Sequence, residues 1–171
     1  MSILFQPFAL NKLTVKNRFM HSATVEGMAS ERGEVTDSII QRYQRLGQGN
    51  VGLIIPGALY VHPTGRAAPH MTGIYDDSLV PGLLRLTDSV HEAGSKIAFQ
   101  LDHAGRQTTR RLIGRTPIGP SSSGRDSMYF VKPKAMTEAR FMKWSRHSAR
   151  PPAERLPRGR TAYRSKRPTA T

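Results

Sequence analysis

The stretch VGLII, residues 51–55, decides the fold. It is an apolar, largely β-branched run with no polar residue spaced through it, so neither of its faces is set aside for water. A strand of that kind is buried on both sides, as the strands of a parallel sheet are. KIAFQL, residues 96–101, is a second strand of this sheet, and Phe19 to Ala23 is apolar enough to be a first buried one. Between the first two strands, Thr36 or Asp37 can cap a helix whose apolar face is Ile39, Ile40, Tyr43 and Leu46, with Gly47 and Gly49 stopping it. Between the second and third, a helix starting near Ser78 carries Leu79, Leu83, Leu86 and Val90 on one face, with Gly94 behind it. Pro81 falls in its first turn, where proline is tolerated. Strand, helix, strand, helix, strand means right-handed βαβ units and a parallel sheet.

Outward from this frame, residues 3–18 read as a short hairpin, with Asn11-Lys12 as the turn and Leu13-Thr14-Val15 as a strand. Residues 56–77 read as a long loop rich in Gly, Pro and Thr. Pattern alone does not separate a (β/α)8 barrel from an open, doubly wound sheet. Polar and small residues cluster after each strand, as Ser22-Ala23-Thr24, as Gly57-Ala58, and as Gln100 with His103-Ala104-Gly105-Arg106. A barrel concentrates its chemistry at those strand ends. No GxGxxG follows the first strand, which argues against a dinucleotide-binding open sheet.

Three of these segments resemble one family. LFQPFALNKLTVKNRFMHSATVEGMA (residues 4–29) is similar to the opening of the NADH:flavin oxidoreductase / Old Yellow Enzyme family. VGLIIPGALYVHPTGRA (51–67) resembles its second strand and the loop that follows. QLDHAGRQ (100–107) resembles its QLxHAGR segment after the third strand, the most specific of the three. The resemblance covers residues 3 to about 139. It implies an α/β chain holding the N-terminal portion, about three β/α units, of a TIM (β/α)8 barrel, and a complete barrel takes about 250 residues.

It also implies a cofactor, FMN, with NAD(P)H as reductant and an activated alkene or similar small molecule as acceptor. By position, the FMN contacts fall on Ser22, Ala23, Thr24, Ala58 and Gln100. The backbone at Ala23 and Thr24 would lie along the flavin ring, and small Ala58 would let the ring approach. The Gln100 amide can both donate to and accept from the ring's pyrimidine edge. Val25 stands where other members carry Thr or Cys near a flavin carbonyl, so that redox-tuning hydrogen bond is not expected here. His103 and Arg106 can either fix their loop or face substrate. Glu26 reads as a solvated or capping carboxylate, and Met20 and His21 as core or barrel-wall side chains. The family's substrate-polarising pair, His-x-x-His or His-x-x-Asn, belongs to a later strand, so no catalytic residue is assigned.

Composition narrows the alternatives. The 171 residues include no cysteine, which excludes disulfides and thiolate metal sites, and the six histidines show no helical metal spacing. The longest apolar run, residues 51–61, is short and broken by Pro56. MSILFQPFAL lacks a basic region and a small-residue cleavage site, so no membrane partner and a cytoplasmic location are expected. The net charge of +14 is unevenly placed: residues 140–171 hold 10 Lys+Arg against one acid, Glu154. That segment, RFMKWSRHSARPPAERLPRGRTAYRSKRPTAT, shows no apolar period and is broken by four prolines, so it is expected to be an unstructured Arg/Pro-rich tail. Residues 1–139 are then a partial FMN-binding barrel and 140–171 a separate composition.

The tail has the look of a reading frame that has slipped. With one base restored at the Ala139 codon, Met142-Lys143 forces Glu, Lys143-Trp144 forces Val or Met, and Phe141-Met142 forces His or Tyr. Chosen wobble bases then give EIHEVVAAFGQAARRA at the start and DGIQIQAAHGY at the end. The first is an amphipathic helix; the second resembles the family's fourth strand. A basic extension that binds nucleic acid is the competing reading. It rests on charge, with Phe141, Trp144 and Tyr163 as the only rings to stack on bases, and nucleic acid is not the expected partner. Three strands alone leave two unpaired edges, so the chain is expected to be poorly soluble or unstable, to bind FMN weakly if at all, and to be an inactive fragment.

Overall fold

The computed structural model describes residues 2–11, 13–122, 124–139 and 142, together with the strand at 162–165. The chain opens on an antiparallel pair, β1 (Phe8–Leu10) with β2 (Leu13–Val15), in the register Phe8 to Val15. Asn11 takes the left-handed conformation that the tight reversal needs, at φ 54°; its expected turn partner Lys12 lies outside the described residues. The Arg18 guanidinium lies 4.4 Å from the centroid of the Phe8 ring, a cation–π contact that holds the hairpin to the chain beyond it.

The parallel sheet follows. Strand β3 (Met20–His21) pairs with β4 (Leu53–Ile54), which pairs with β6 (Lys96–Asp102). A further short strand, β5 (Leu59–Tyr60), lies where the sequence reads as loop, and it also runs parallel to β6. Ile54 pairs with Ile97 and Leu59 with Leu101, so five steps along one chain match four along the other. One extra residue is therefore inserted between β4 and β5.

Helix α1 (Asp37–Gln48) begins where Thr36 Oγ1 accepts the Ile39 N–H, so Thr36, not Asp37, is the cap. Its buried residues are Ile39, Tyr43 and Gly47. Gly47 is thus inside the helix, against the expectation that it ends it; the C-cap is Gly49. The physical reason is contact, because a Cβ on Gly47 would sit 2.7 Å from Ala93 Cβ. Asp76 caps a 3-10 turn (Asp77–Leu79) that leads into α2 (Val80–Glu92), with Pro81 in the first turn. Leu79, Leu83, Leu86 and Val90 are all buried, as their spacing requires. Leu83, Leu86 and Val90 pack with Ile39, Tyr43, Ile54, Leu59, Ile97, Phe99 and Leu101 into one core between helices and sheet.

The first strand departs from expectation. Only Met20 and His21 are extended, and Phe19 and Met20 are 38% and 58% exposed rather than buried. Met20 pairs with Leu53, while the next residue pairs with core Ile54. Met20 thus faces away from the helices, towards the side that forms a barrel's interior, and no described element covers it.

The opposite end of the strands is closed by polar contacts. Asn17, 1% exposed, donates from Nδ2 to the Asn50 carbonyl at 2.6 Å and accepts the Phe19 N–H, while Lys16 Nζ reaches the Gly47 carbonyl. The Val-Lys-Asn-Arg stretch thus secures the N-terminal face, where a barrel's stability resides. Beyond β6 come α3 (Arg110–Ile113) and the parallel pair β7 (Ile118–Gly119) with β8 (Lys134–Ala135), none of which the sequence signalled. In the segment expected to be an unstructured tail, β9 (Ala162–Ser165) pairs parallel with β6, Ala98 to Ala162 through Leu101 to Ser165. The bare edge of β6 offers backbone partners to such an extended segment. Apart from Met142, the rest of 140–171, including Trp144, lies outside the described residues.

Candidate functional site

Of the five residues expected to face a cofactor, Ser22, Ala23 and Thr24 follow the end of β3, Ala58 lies between β4 and β5, and Gln100 lies in the C-terminal half of β6. After β3, residues 22–28 leave regular structure. Ile55 N–H donates to the His21 carbonyl at 2.9 Å, and a continuing ladder would next take the Ala23 N–H to the Ile55 carbonyl. That carbonyl instead accepts from His21 Nδ1 at 3.2 Å. The side chain of His21 so ends the pairing, and the N–H groups of Ala23, Thr24 and Val25 donate to no described residue. Ser22, Thr24 and Val25 are exposed and Ala23 is half-buried. Thr24 Oγ1 bends back to the Ser22 carbonyl at 3.4 Å.

Ala58 and Gln100 come together by register. Leu59 pairs with Leu101 and Tyr60 with Asp102, and one residue earlier the same register sets Ala58 beside Gln100. Along β6, Ile97, Phe99 and Leu101 are buried against the helices, whereas Ala98, Gln100 and Asp102 are half-buried on the opposite face. The Gln100 amide has no hydrogen-bond partner among the described residues. A half-buried amide left in that state marks a place for a ligand with complementary groups.

A polar link missed by sequence reasoning ties the loops together. Tyr43 donates from its hydroxyl to Glu26 Oε1 at 2.6 Å and accepts the Gly57 N–H at 3.2 Å. Burial, then the bond to Glu26, raises the Tyr43 pKa, so the phenol stays protonated. Glu26 is therefore held rather than solvated. The signal available was a tyrosine on an otherwise apolar helix face, since a buried phenol needs a partner.

His103 and Arg106 secure their loop. Gly105 N–H donates to His103 Nδ1 at 3.0 Å, so the neutral ring carries its proton on Nε2. Nε2 lies 3.3 Å from Thr64 Oγ1, which lies 2.8 Å from His62 Nδ1. Burial, and then the neighbouring His62, push the His103 pKa down to about 4. Gly65 packs against this ring so closely that a Cβ there would sit 2.6 Å from His103 Cδ2. Arg106 Nε lies 3.6 Å from the carboxylate of buried Asp126. Among the described residues no group of three or more His, Asp or Glu could hold a metal ion, and no helix is long and apolar enough to cross a membrane.

Compared with known families, residues 3–145 match the NADH:flavin oxidoreductase / NADH oxidase family. The chain belongs to that family. Among curated members, a metal reductase of Desulforamulus reducens is 39% identical over 121 residues, 71% of this chain and 18% of that protein. An NADPH dehydrogenase of Halalkalibacterium halodurans is 36% identical over 136 residues, 79% of this chain and 39% of its own length. Among solved structures, an Old Yellow Enzyme homologue from Zymomonas mobilis superposes with a TM-score of 0.78 at 26% identity, over 85% of this chain and 43% of that one. The chain thus spans less than half the length of each of these relatives, and its fold is the N-terminal portion of a TIM barrel of this family.

Proposed function

We propose that this chain supplies the cofactor-facing strand ends of an FMN-dependent oxidoreductase, one that passes hydride from NAD(P)H through the flavin to a small-molecule acceptor such as an activated alkene. When bound, FMN supplies the redox chemistry: it takes a hydride and gives it up again. The chain's residues bind and orient. The unpaired N–H groups at Ala23 and Thr24 offer donors along one side of a slot beside Ser22. Gln100 offers both a donor and an acceptor from the neighbouring β6. Ala58, next to Gln100 on the same face, carries a methyl group small enough for a planar ring to lie close. These groups fit a flat heterocycle with polar edges, which is what the flavin ring presents.

The observation that carries the reading is the pairing of the Gln100 amide, without a partner among the described residues, with a small residue on the same face. The NADPH dehydrogenase and Old Yellow Enzyme relatives support the same chemistry. Neither a membrane nor a nucleic acid is part of this reading. The test is titration of the purified chain into FMN, followed by quenching of flavin fluorescence. Saturable quenching, weakened about tenfold in Gln100→Leu through loss of its paired hydrogen bonds, is expected. Saturable binding that Gln100→Leu leaves unchanged would refute the assignment of Gln100, and no saturable binding at all would refute the flavin reading for this chain.

A further inference from the structure

Tyr43 does more than fill the core. Its ring is 0% exposed, with the His21 ring edge-on at 5.7 Å, and phenylalanine would fill the same space. The hydroxyl is what core packing does not explain. It lies between the two loops that carry the proposed cofactor contacts, bound to Glu26 on one and to the Gly57 N–H on the other. Gly57 is pressed into this junction: a Cβ there would collide with the Glu26 carboxylate and lie 3.0 Å from the Thr24 carbonyl oxygen. Thr24 and Ala58 are each within two residues of the atoms that the hydroxyl holds.

We propose that Tyr43 is a positioning residue for the flavin slot, its hydroxyl locking residues 22–26 against Gly57-Ala58 and so setting the spacing between their donors and the small residue opposite. The proposal rests on the flavin reading above. A phenol bonded to a carboxylate is a short, strong, charge-assisted hydrogen bond, suited to holding two loops of otherwise irregular chain. The Gly57 N–H adds the second attachment. Thr87, equally buried, makes no such bridge and donates to Leu83 of its own helix at 2.8 Å.

The experiment compares the full chain with Tyr43→Phe, Glu26→Ala, the conservative Glu26→Gln, and Thr87→Val as a control that removes a buried hydroxyl elsewhere. Two quantities are read: backbone amide exchange by mass spectrometry over residues 55–60, where the phenol holds the Gly57 N–H, and FMN affinity by fluorescence quenching. Tyr43→Phe and Glu26→Ala are expected to speed exchange over 55–60 and to weaken FMN binding about tenfold, the equivalent of one charge-assisted hydrogen bond. Glu26→Gln, which keeps an acceptor for the phenol, should stay within about twofold of the unsubstituted chain on that scale. Unchanged exchange in Tyr43→Phe overturns the proposal. So does an equal response from Thr87→Val, which would mean general loosening of the core. If the unsubstituted chain takes up no FMN, the flavin reading is what fails, and the exchange pattern alone decides whether Tyr43 locks the two loops.

Discussion

Replacing Gly47 with alanine sets two effects of similar size against each other. Near the end of α1, alanine is the better helix former, by at most about 1 kcal/mol over glycine. Against that, the new methyl would meet Ala93 Cβ at 2.7 Å and Ser95 Oγ at 3.2 Å. Ala93 Cβ is bonded directly to the backbone at the end of α2 and cannot swing aside, so the two helix ends must separate. Overpacking of this kind costs about 1–3 kcal/mol, and the net expectation is destabilisation of about 1 kcal/mol. Gly82→Ala, near the start of α2, is the matched comparison. Its methyl would meet Val35 Cβ at 3.2 Å, and Val35 is half-buried in a loop with room to give. That substitution is expected to be near neutral. In urea unfolding followed by circular dichroism, about 1 kcal/mol moves the midpoint by roughly 0.3–1 M for a domain of this size. A Gly47→Ala midpoint at or above that of the unsubstituted chain would refute the steric argument, and a large loss in Gly82→Ala would show that loops here do not yield.

Three further outcomes are expected. Leu83→Ala, at a site 0% exposed in the centre of the core, should lower unfolding stability by about 2–5 kcal/mol in the same urea assay. Because His103 is depressed to about 4 from its ordinary 6.5, the folded state favours the neutral ring. Stability is therefore fully present above about pH 6.5 and falls as the pH drops towards 4, and His103→Gln should flatten that part of a plot of urea midpoint against pH. Finally, resequencing the gene across the Ala139 codon should restore one base and open a frame that runs into a histidine-bearing fourth strand; an unchanged sequence with no such frame downstream sinks the frameshift reading.

The features legible in the sequence are those that repeat. Leu79, Leu83, Leu86 and Val90 follow the helical period and are all buried, and VGLII supplies a strand paired on both sides. Contacts between distant loops left no such trace. Thr64 and His103 meet across 39 residues and Tyr43 and Glu26 across 17, pairings fixed only when the strands set their loops side by side. Strand β5 was hidden because Pro56-Gly57 just before it reads as a turn. For Met20, apolar composition marks a strand without saying which of its faces is covered, and of core and barrel wall it is the barrel-wall side that the residue takes. At the candidate site, the family motif pointed to Gln100, but the hydrogen bond by which His21 ends the β3–β4 ladder and leaves the Ala23 N–H unpaired was not foreseeable.

The single residue inserted between β4 and β5 reverses the parity of the chain. Below it the even-numbered Ile54 points to the helices; above it the odd-numbered Leu59 does, which turns Ala58 and Tyr60 the other way. Were these five steps to run as regular strand with no bulge, strict alternation would carry Leu59 to the inner face. An isobutyl group would then stand near Gln100 where a methyl now stands. A one-residue deletion within 55–57 would instead match the two chains step for step, keeping Leu59 towards the helices and Ala58 beside Gln100, so the small wall of the slot would survive the loss of the extra residue.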